Sequence, residues 1–414
     1  KVIYFRNGML HHETFAQCYQ RIHGDIDGVR VPCFDAEGRM VLRPISGIWK
    51  HRVRKAGLKI RTTWGRSVTI TADHSVFTRG DDGKPRAVFG HELQVGDRVA
   101  VPRYLPCVER PLEPFLISDL LIEQGLSIAT QDIQSLITVH DQAIRHCLFG
   151  RGVASRQHYA CLQRYSGGNR LPLTIWQEIR LPLGSGEKVL APFSRKGINN
   201  RIDDVEGLLW FLGFYLAEGC LIYREQQDYQ LLFCSNRKHL DKLGDCVARV
   251  FGIEATVTQP DTSTAPTVNI RSKLITQLVV DALGFGKSLS TEKAIPEWIL
   301  QLPREQLVHF LLGFWEGDGN HDAKTTGKQL IFNSSSPALI DGLCLIMARF
   351  GIVGSVSSFV TRVSKERDRF FPAHRLTVQG LDCYDILGLA TATQCPQART
   401  DNAIAWARVT ATST

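Results

Sequence analysis

Two acidic residues, Glu218 and Asp318, end matched nine-residue stretches, Phe211-Leu212-Gly213-Phe214-Tyr215-Leu216-Ala217-Glu218-Gly219 and Leu311-Leu312-Gly313-Phe314-Trp315-Glu316-Gly317-Asp318-Gly319. The small residues Gly213 with Ala217, and Gly313 with Gly317, stand four apart and so share one helix face. Glycine inside a helix costs about 1 kcal/mol relative to alanine, a cost tolerated where two helix backbones approach closely. The surrounding Leu, Phe, Tyr and Trp make both helices apolar nearly all round, which predicts burial. Each acid precedes a glycine expected to stop its helix. Its charge there opposes the helix dipole by about 0.3–1 kcal/mol, and two such acids on adjacent helices repel each other. Divalent cations held by carboxylate oxygens and shared with a phosphate backbone would offset both effects. One helix-ending acid is usually structural, whereas two at matched positions point to function.

These stretches belong to an internal repeat within residues 201–385. Each is followed by a short strand, Leu231-Leu232-Phe233 and Leu330-Ile331-Phe332. Polar residues come next, Ser235-Asn236 and Asn333-Ser334-Ser335, and then a helix ending in Phe251-Gly252-Ile253 or Phe350-Gly351-Ile352. The landmarks recur in order, so one αββα-like unit is used twice.

Residues 1–103 read as all-β, with turns at Asn7-Gly8, Asp27-Gly28 and Asp82-Gly83. Leu58, Ile60 and Thr62 alternate with polar residues, Trp64-Gly65 turns, and Val68 and Ile70 alternate again, which predicts a hairpin. In residues 104–200, Leu116 to Leu148 has helical periodicity. Residues 143–177 contain Arg145, Arg151, Arg156, Arg164 and Arg170 with no acid, and Phe149, Tyr159 and Tyr165 lie among them. A charge run is usually a solvated face; an acid-free one interleaved with aromatics also suits nucleic-acid contact. From about Ala390 the chain is polar, and Ala403 to Val409 reads as a lone strand returning to an earlier domain.

The length of 414 residues predicts two or three domains, and 43% apolar with 22% charged residues argues for folded cores. No apolar run approaches a membrane span, since Glu218 interrupts even Gly207–Gly219. Lys1 to Gly8 does not resemble a signal peptide. The 49 basic against 41 acidic residues give +8, which permits a polyanionic partner. Eleven cysteines without a C-x-x-C pair argue against a disulfide framework or structural zinc, and for reduced thiols inside a cell.

On the two nine-residue motifs, the chain resembles the LAGLIDADG homing endonucleases, matching their paired motifs at the helix-packing glycine and the terminal acid. The resemblance implies that Glu218 and Asp318 hold Mg²⁺ (or Mn²⁺) and promote hydrolysis of one phosphodiester on each strand of a DNA duplex. It implies a pseudo-symmetric saddle with β-strands in the major groove, where Arg362, Lys365 and Arg375 are candidate DNA contacts beside the five arginines above. Lys293, in Glu292-Lys293-Ala294-Ile295-Pro296, resembles the lysine before an Ile-Pro in intein endonucleases; its charge would stabilise the phosphorane or position a water. The plainer alternative is a surface lysine before a turn. Lys365 is the weaker candidate in the second half.

Thr71-Ala72-Asp73-His74 resembles the Thr-x-x-His block of the Hint domain of inteins, and Glu92 to Pro102 resembles the strand that closes its first half. That resemblance implies that His74 protonates a departing backbone nitrogen while Thr71 polarises the scissile amide. The sequence departs from that family at Lys1, where a nucleophilic Cys or Ser is expected, and at Thr412-Ser413-Thr414, where His-Asn is expected, so this chain should not splice in cis.

The expected fold is α+β: an all-β Hint-type splicing domain plus a pseudo-two-fold αββαββα endonuclease domain. The expected boundaries are 1–103 and 390–414 for the Hint-like part, 104–200 for a helical, basic DNA-recognition region, and 201–389 for the two repeats. The expected function is a metal-dependent, site-specific double-strand DNA endonuclease embedded in an intein. It would be intracellular, cytoplasmic or nucleoid-associated, and monomeric, with double-stranded DNA and the host-protein exteins as partners. The alternatives are an inactive DNA-binding protein of the same fold, and a split or truncated intein acting mainly in splicing.

Overall fold

Alternation of apolar and polar residues translates directly into strand register in the N-terminal region. In the computed structural model, Gly57–Thr62 pairs antiparallel with Ser67–Thr71, setting Leu58 opposite Ile70 and Ile60 opposite Val68 across a turn at Gly65. The structure describes all residues except 36, 122–124, 185, 225–227, 260–264, 287–288, 322–328, 363–369, 380–386, 388–403 and 414. Lys365 therefore lies outside the described residues. The chain divides into two compact units, Lys1–Pro111 with Ser288–Thr414, and Leu112–Lys287. The two repeats thus fall in different units, a division that local sequence does not announce.

The described residues of the first unit form three sheets. A four-stranded one has the order Met9–Glu13, Val2–Arg6, Val29–Phe34, Met40–Pro44. Residues 1–103 are not all-β as expected: Phe15–Ile22 forms a helix, begun by a capping box between Thr14 and Gln17, and buries Cys18 and Ile22 against Tyr4 and Val29. A helix of eight residues offers too few turns for periodicity to expose it. The six-stranded sheet has the order Ser67–Thr71, Gly57–Thr62, Ile404–Ser413, Arg98–Pro102, Ser75–Arg79, Pro85–Phe89. Its central strand comes from the far end of the chain, and Ala407 and Val409 are buried there with Ile60, Leu93 and Val99.

The second repeat completes this unit. Its helix Arg304–Asp318 runs into a sheet ordered Gly319–His321, Gln329–Ser334, Phe370–Gln379, Ser355–Arg362, with the helix Pro337–Arg349 between the strand pairs. The Val356 amide donates to the Trp64 carbonyl at 2.9 Å, joining this sheet to the hairpin turn.

The second unit contains a small α/β module and the first repeat. The module's strands order as Leu171–Pro172, Ser127–Ala129, Lys188–Leu190, Ile198–Asn199. The expected helical stretch 116–148 is broken by the strand Ser127–Ala129, which follows Gly125 at φ 86°. The first repeat repeats the second's topology: helix Val205–Glu218, then a sheet ordered Gly219–Arg224, Asp228–Cys234, Thr267–Arg271, Val257–Thr258, with helix Arg237–Phe251 between the strand pairs. Each copy is therefore αββαββ rather than αββα. Both inter-pair helices end at a left-handed glycine, Gly252 at φ 66° and Gly351 at φ 73°, which accounts for the recurring Phe-Gly-Ile.

Candidate active site and nucleic-acid interface

The first motif helix, Val205–Glu218, starts on the Asp204 carboxylate, which accepts from the Gly207 amide at 2.8 Å. Its residues from Gly207 through Leu216 are buried. Phe211 meets Phe251 edge-on at 5.3 Å, and Phe214 stacks on Phe233 at 5.9 Å. Tyr215 packs edge-on to Phe285, and burial pushes its hydroxyl up to about 12. Gly213 is buried and Ala217 half-buried; Glu218, the last helical residue, is half-buried.

The second motif helix, Arg304–Asp318, buries Leu307, Phe310, Leu311, Gly313 and Phe314, with Phe314 against Phe332. Gly317 and the terminal Asp318 are half-buried. Both acids thus occupy the same position in their copies. The next residue pairs across the sheet with the same partner type, Gly219 with Phe233 and Gly319 with Phe332.

Those two glycines are extended, at φ −73° and −82°, so positive φ is not the reason for them. A Cβ on Gly219 would fall inside the van der Waals shell of Tyr215, and one on Gly319 inside that of Trp315. The chain turns from helix to strand so tightly that only hydrogen fits, which fixes the residue before it at the helix terminus.

Lys293 is 9% exposed, which excludes the surface-lysine alternative. Its carbonyl accepts from Ser336 Oγ at 2.6 Å, and Ser336 is the buried N-cap of Pro337–Arg349. Two residues on, Ile295 packs against Gly342 of that helix.

Each repeat presents the sheet face opposite its helices. In the first, Leu231, Phe233, Val268 and Ile270 are buried, so Gln230, Asn269 and Arg271 alternate onto the open face. Asn269 Nδ2 donates to Gln230 Oε1 at 2.7 Å. In the second, Arg375 Nε donates to Asn333 Oδ1 at 3.0 Å, and its guanidinium lies 4.9 Å from the Phe359 ring centre. Arg362 ends its strand, exposed. Sequence reasoning missed Gln230, Asn269 and Arg271; two-residue alternation in Thr267–Arg271 was the available signal.

The arginines of the basic stretch 143–177 differ in their surroundings. Arg145 pairs with Asp141 at 2.7 Å, and Arg151 with Glu178 at 2.7 Å. Arg170 Nη1 donates to the Ser194 carbonyl at 2.7 Å. Arg156 and Arg164 are exposed on helix Ser155–Gly167, with no carboxylate partner among the described residues. Tyr159, on the same helix, is 66% exposed. That helix follows Asp141–Gly150 through a four-residue connection containing Gly152 at φ 76°, the pattern of a helix-turn-helix.

Thr71 ends its strand half-buried and His74 is exposed in the bend after it, where its amide donates to the Thr71 carbonyl at 2.9 Å. The Lys55 ammonium, and after it the Thr71 side chain, hold the Asp73 carboxyl down at about 2.

The sequence is 26% identical over 339 residues to the DNA polymerase II large subunit of Thermococcus kodakarensis, covering 79% of this chain and 17% of that protein. It is 25% identical over 324 residues to the DNA-directed RNA polymerase subunit Rpo1C of Methanocaldococcus jannaschii, covering 77% of this chain and 29% of that protein. The chain thus spans less than a third of the length of these relatives. Among solved structures, I-DmoI in complex with DNA and Mn aligns with a TM-score of 0.31 at 10% identity, over 46% of this chain and 99% of that one. I-WcaI bound to its DNA recognition sequence aligns with a TM-score of 0.31 at 13% identity, over 48% of this chain and 86% of that one. Residues 305–380, the span that carries Asp318 and Arg375, match the family model of the LAGLIDADG-like domain.

Proposed function

We propose that this chain is a site-specific, metal-dependent endonuclease that makes a double-strand break in DNA, and that it is housed in an intein. The observation that carries the reading is the equivalence of Glu218 and Asp318: each is the last residue of a buried motif helix, and each precedes a glycine that pairs with a phenylalanine of the next strand. At the negative end of each helix a carboxylate offers oxygens to a hard divalent cation, Mg²⁺ or Mn²⁺. Such an ion, when bound, polarises a phosphoryl oxygen and lowers the pKa of its water. The chain's own part is to hold the two carboxylates at fixed helix ends and to bring the Lys293 ammonium to charge developing on phosphate. The open sheet faces with Arg271 and Arg375, and the exposed helix with Arg156 and Arg164, would bind the duplex.

The intein reading is supported by relatives with different names, DNA and RNA polymerase subunits, each sharing only a minor part of its length with this chain. It is supported too by the strand Ile404–Ser413, which closes a sheet otherwise built from residues 57–102 across a long insertion. Thr71 and His74 would assist splicing, and ligation of flanking exteins tests that part.

Incubation with a randomised duplex library and Mg²⁺ or Mn²⁺ tests the nuclease. The expected result is a defined cleavage site for the wild-type chain and none for Glu218→Gln combined with Asp318→Asn. Undiminished cleavage by the double variant overturns the assignment. Tight binding without cleavage by the wild-type chain would favour a DNA-binding protein of the same fold.

A further inference from the structure

A turn in the second unit exposes a phenylalanine where the backbone does not favour one. The Ser194 amide donates to the Ala191 carbonyl at 3.1 Å, making Pro192 and Phe193 the central residues of a turn. Proline at the first central position and positive φ at the second is the type II pattern, which normally calls for glycine at the second. Phe193 sits there at φ 63° and is 99% exposed. A bulky side chain at positive φ is an outlier, and burial gives this one nothing in return.

The turn is held from both sides. Arg170 Nη1 donates to the Ser194 carbonyl at 2.7 Å, and Ser194 Oγ donates to the Lys196 carbonyl at 2.8 Å. Phe193 forms part of two adjoining clefts within this unit. One, of about 840 Å³, is lined among the described residues by five basic ones, Lys188, Arg195, Lys196, Arg271 and Lys273, against one acid, Glu254. The other, of about 640 Å³, is lined by Arg164 and Arg170, with no acid among the described residues that line it. From Lys188 to Ile202 the sequence carries no acid at all. An apolar ring standing clear of the surface between two cationic clefts matches a polyanion whose interior is flat and apolar, and duplex DNA has both properties.

We infer that Phe193 is a stacking wedge that inserts at a base step of the bound duplex, while the clefts beside it take the flanking phosphates. The inference rests on the DNA-binding reading above and adds to it a specific contact from outside the two repeats. The wedge would unstack one step and bend the duplex there, lengthening the bound site beyond what the two sheets cover.

The test uses the full chain with a duplex selected from a randomised library by binding in EDTA, so that no strand is cut. 2-Aminopurine is then placed at successive steps. The expected result is a single step whose fluorescence rises on binding of wild-type protein and of Phe193→Trp, or is quenched by the tryptophan in the latter. Phe193→Gly should abolish that change and weaken binding by about five- to hundred-fold, the loss of one base stack. Because glycine suits positive φ, Phe193→Gly should keep or raise the thermal midpoint, which separates lost contact from lost fold. Unchanged affinity of Phe193→Gly, or a flat fluorescence scan with a tightly bound duplex, overturns the wedge and leaves DNA binding standing. Failure of the wild-type chain to select any duplex overturns both.

Discussion

The hydroxyl of Ser336 donates to the backbone carbonyl of Lys293 at 2.6 Å, with both residues buried. Ser336 Oγ also accepts from the Leu339 amide at 3.3 Å, so one side chain caps a helix and anchors the lysine segment. Ser336→Ala should destabilise the protein by about 1–2 kcal/mol through the lost cap and an unpaired carbonyl. It should also slow cleavage more than it weakens DNA binding, because Lys293 loses its anchor. Urea titration and single-turnover cleavage measure the two effects; equal losses in binding and rate would argue against a positioning role.

Gly219 and Gly319 make the sharpest demand on the motif ends. Gly219→Ala and Gly319→Ala should each cost about 1–3 kcal/mol, since the new methyl meets Tyr215 or Trp315 and something must shift. The adjacent acid moves with it, so DNA cleavage should fall further than stability alone accounts for. Thermal midpoints paired with cleavage rates at a temperature where both variants are folded would reveal this, and a fully active Gly319→Ala would contradict it.

Arg349 is 2% exposed and ties three segments of its unit together. It donates to the carbonyls of Leu300 at 2.6 Å and Leu302 at 3.2 Å, and to Glu109 Oε1 at 2.7 Å. Arg349→Ala removes the donor to the Leu302 carbonyl and leaves the Leu300 carbonyl only the weak Cys107 thiol donor, and should cost about 3 kcal/mol. Glu109→Gln removes only a half-exposed partner and should cost under about 1 kcal/mol. Chemical denaturation of the two variants side by side gives the comparison, and similar losses would contradict it.

The arginines of residues 143–177 should separate into two groups. Arg156→Ala with Arg164→Ala should weaken DNA binding and reduce its dependence on log salt by roughly two phosphate contacts, with little change in stability. Arg151→Ala should instead act on the module itself, because its partners are Thr174 and Glu178. Affinities measured across a salt series decide, and an unchanged slope for the double variant would remove this helix from the interface.

Burial, and after it the nearby Lys1 charge, pulls the His12 imidazole down from its ordinary value to about 4. Between that value and the ordinary 6.5 the unfolded chain holds a proton that the folded one lacks, so stability falls as pH falls across this window. Denaturation midpoints at pH 7.5, 6 and 5 should decline for the wild-type chain at about those values. The decline should be shallower for His12→Gln; parallel profiles would show that His12 is not responsible.

The doubled motif, its terminal acids, its following strands and its Phe-Gly-Ile landmarks were all legible in the sequence, because each depends on local periodicity or on one residue's backbone preference. So was the hairpin at 57–71, where alternation sets register directly. Other features depend on residues far apart in the chain. Arg151 and Arg170 look in the sequence like Arg156 and Arg164, and only the fold places Glu178 and the Ser194 carbonyl against them, whereas Arg145 meets Asp141 four residues earlier on its own helix. Lys293 had a plainer alternative as a surface lysine, and only the fold sets Ser336, 43 positions away, against its carbonyl. The second repeat's hairpin of eight- and ten-residue strands, against two and five in the first, shows no counterpart in the repeated landmarks. Phe193 is ordinary in composition and context; its φ and its exposure are properties of a folded turn. The sequence alone determined which helices end in acids followed by glycine, because that pattern is local, whereas the reason for the glycine, the close approach of Tyr215 or Trp315, belongs to the fold. The tertiary structure decided which charges remain open to a polyanion, because pairing and burial are set by contacts between segments that the sequence does not bring together.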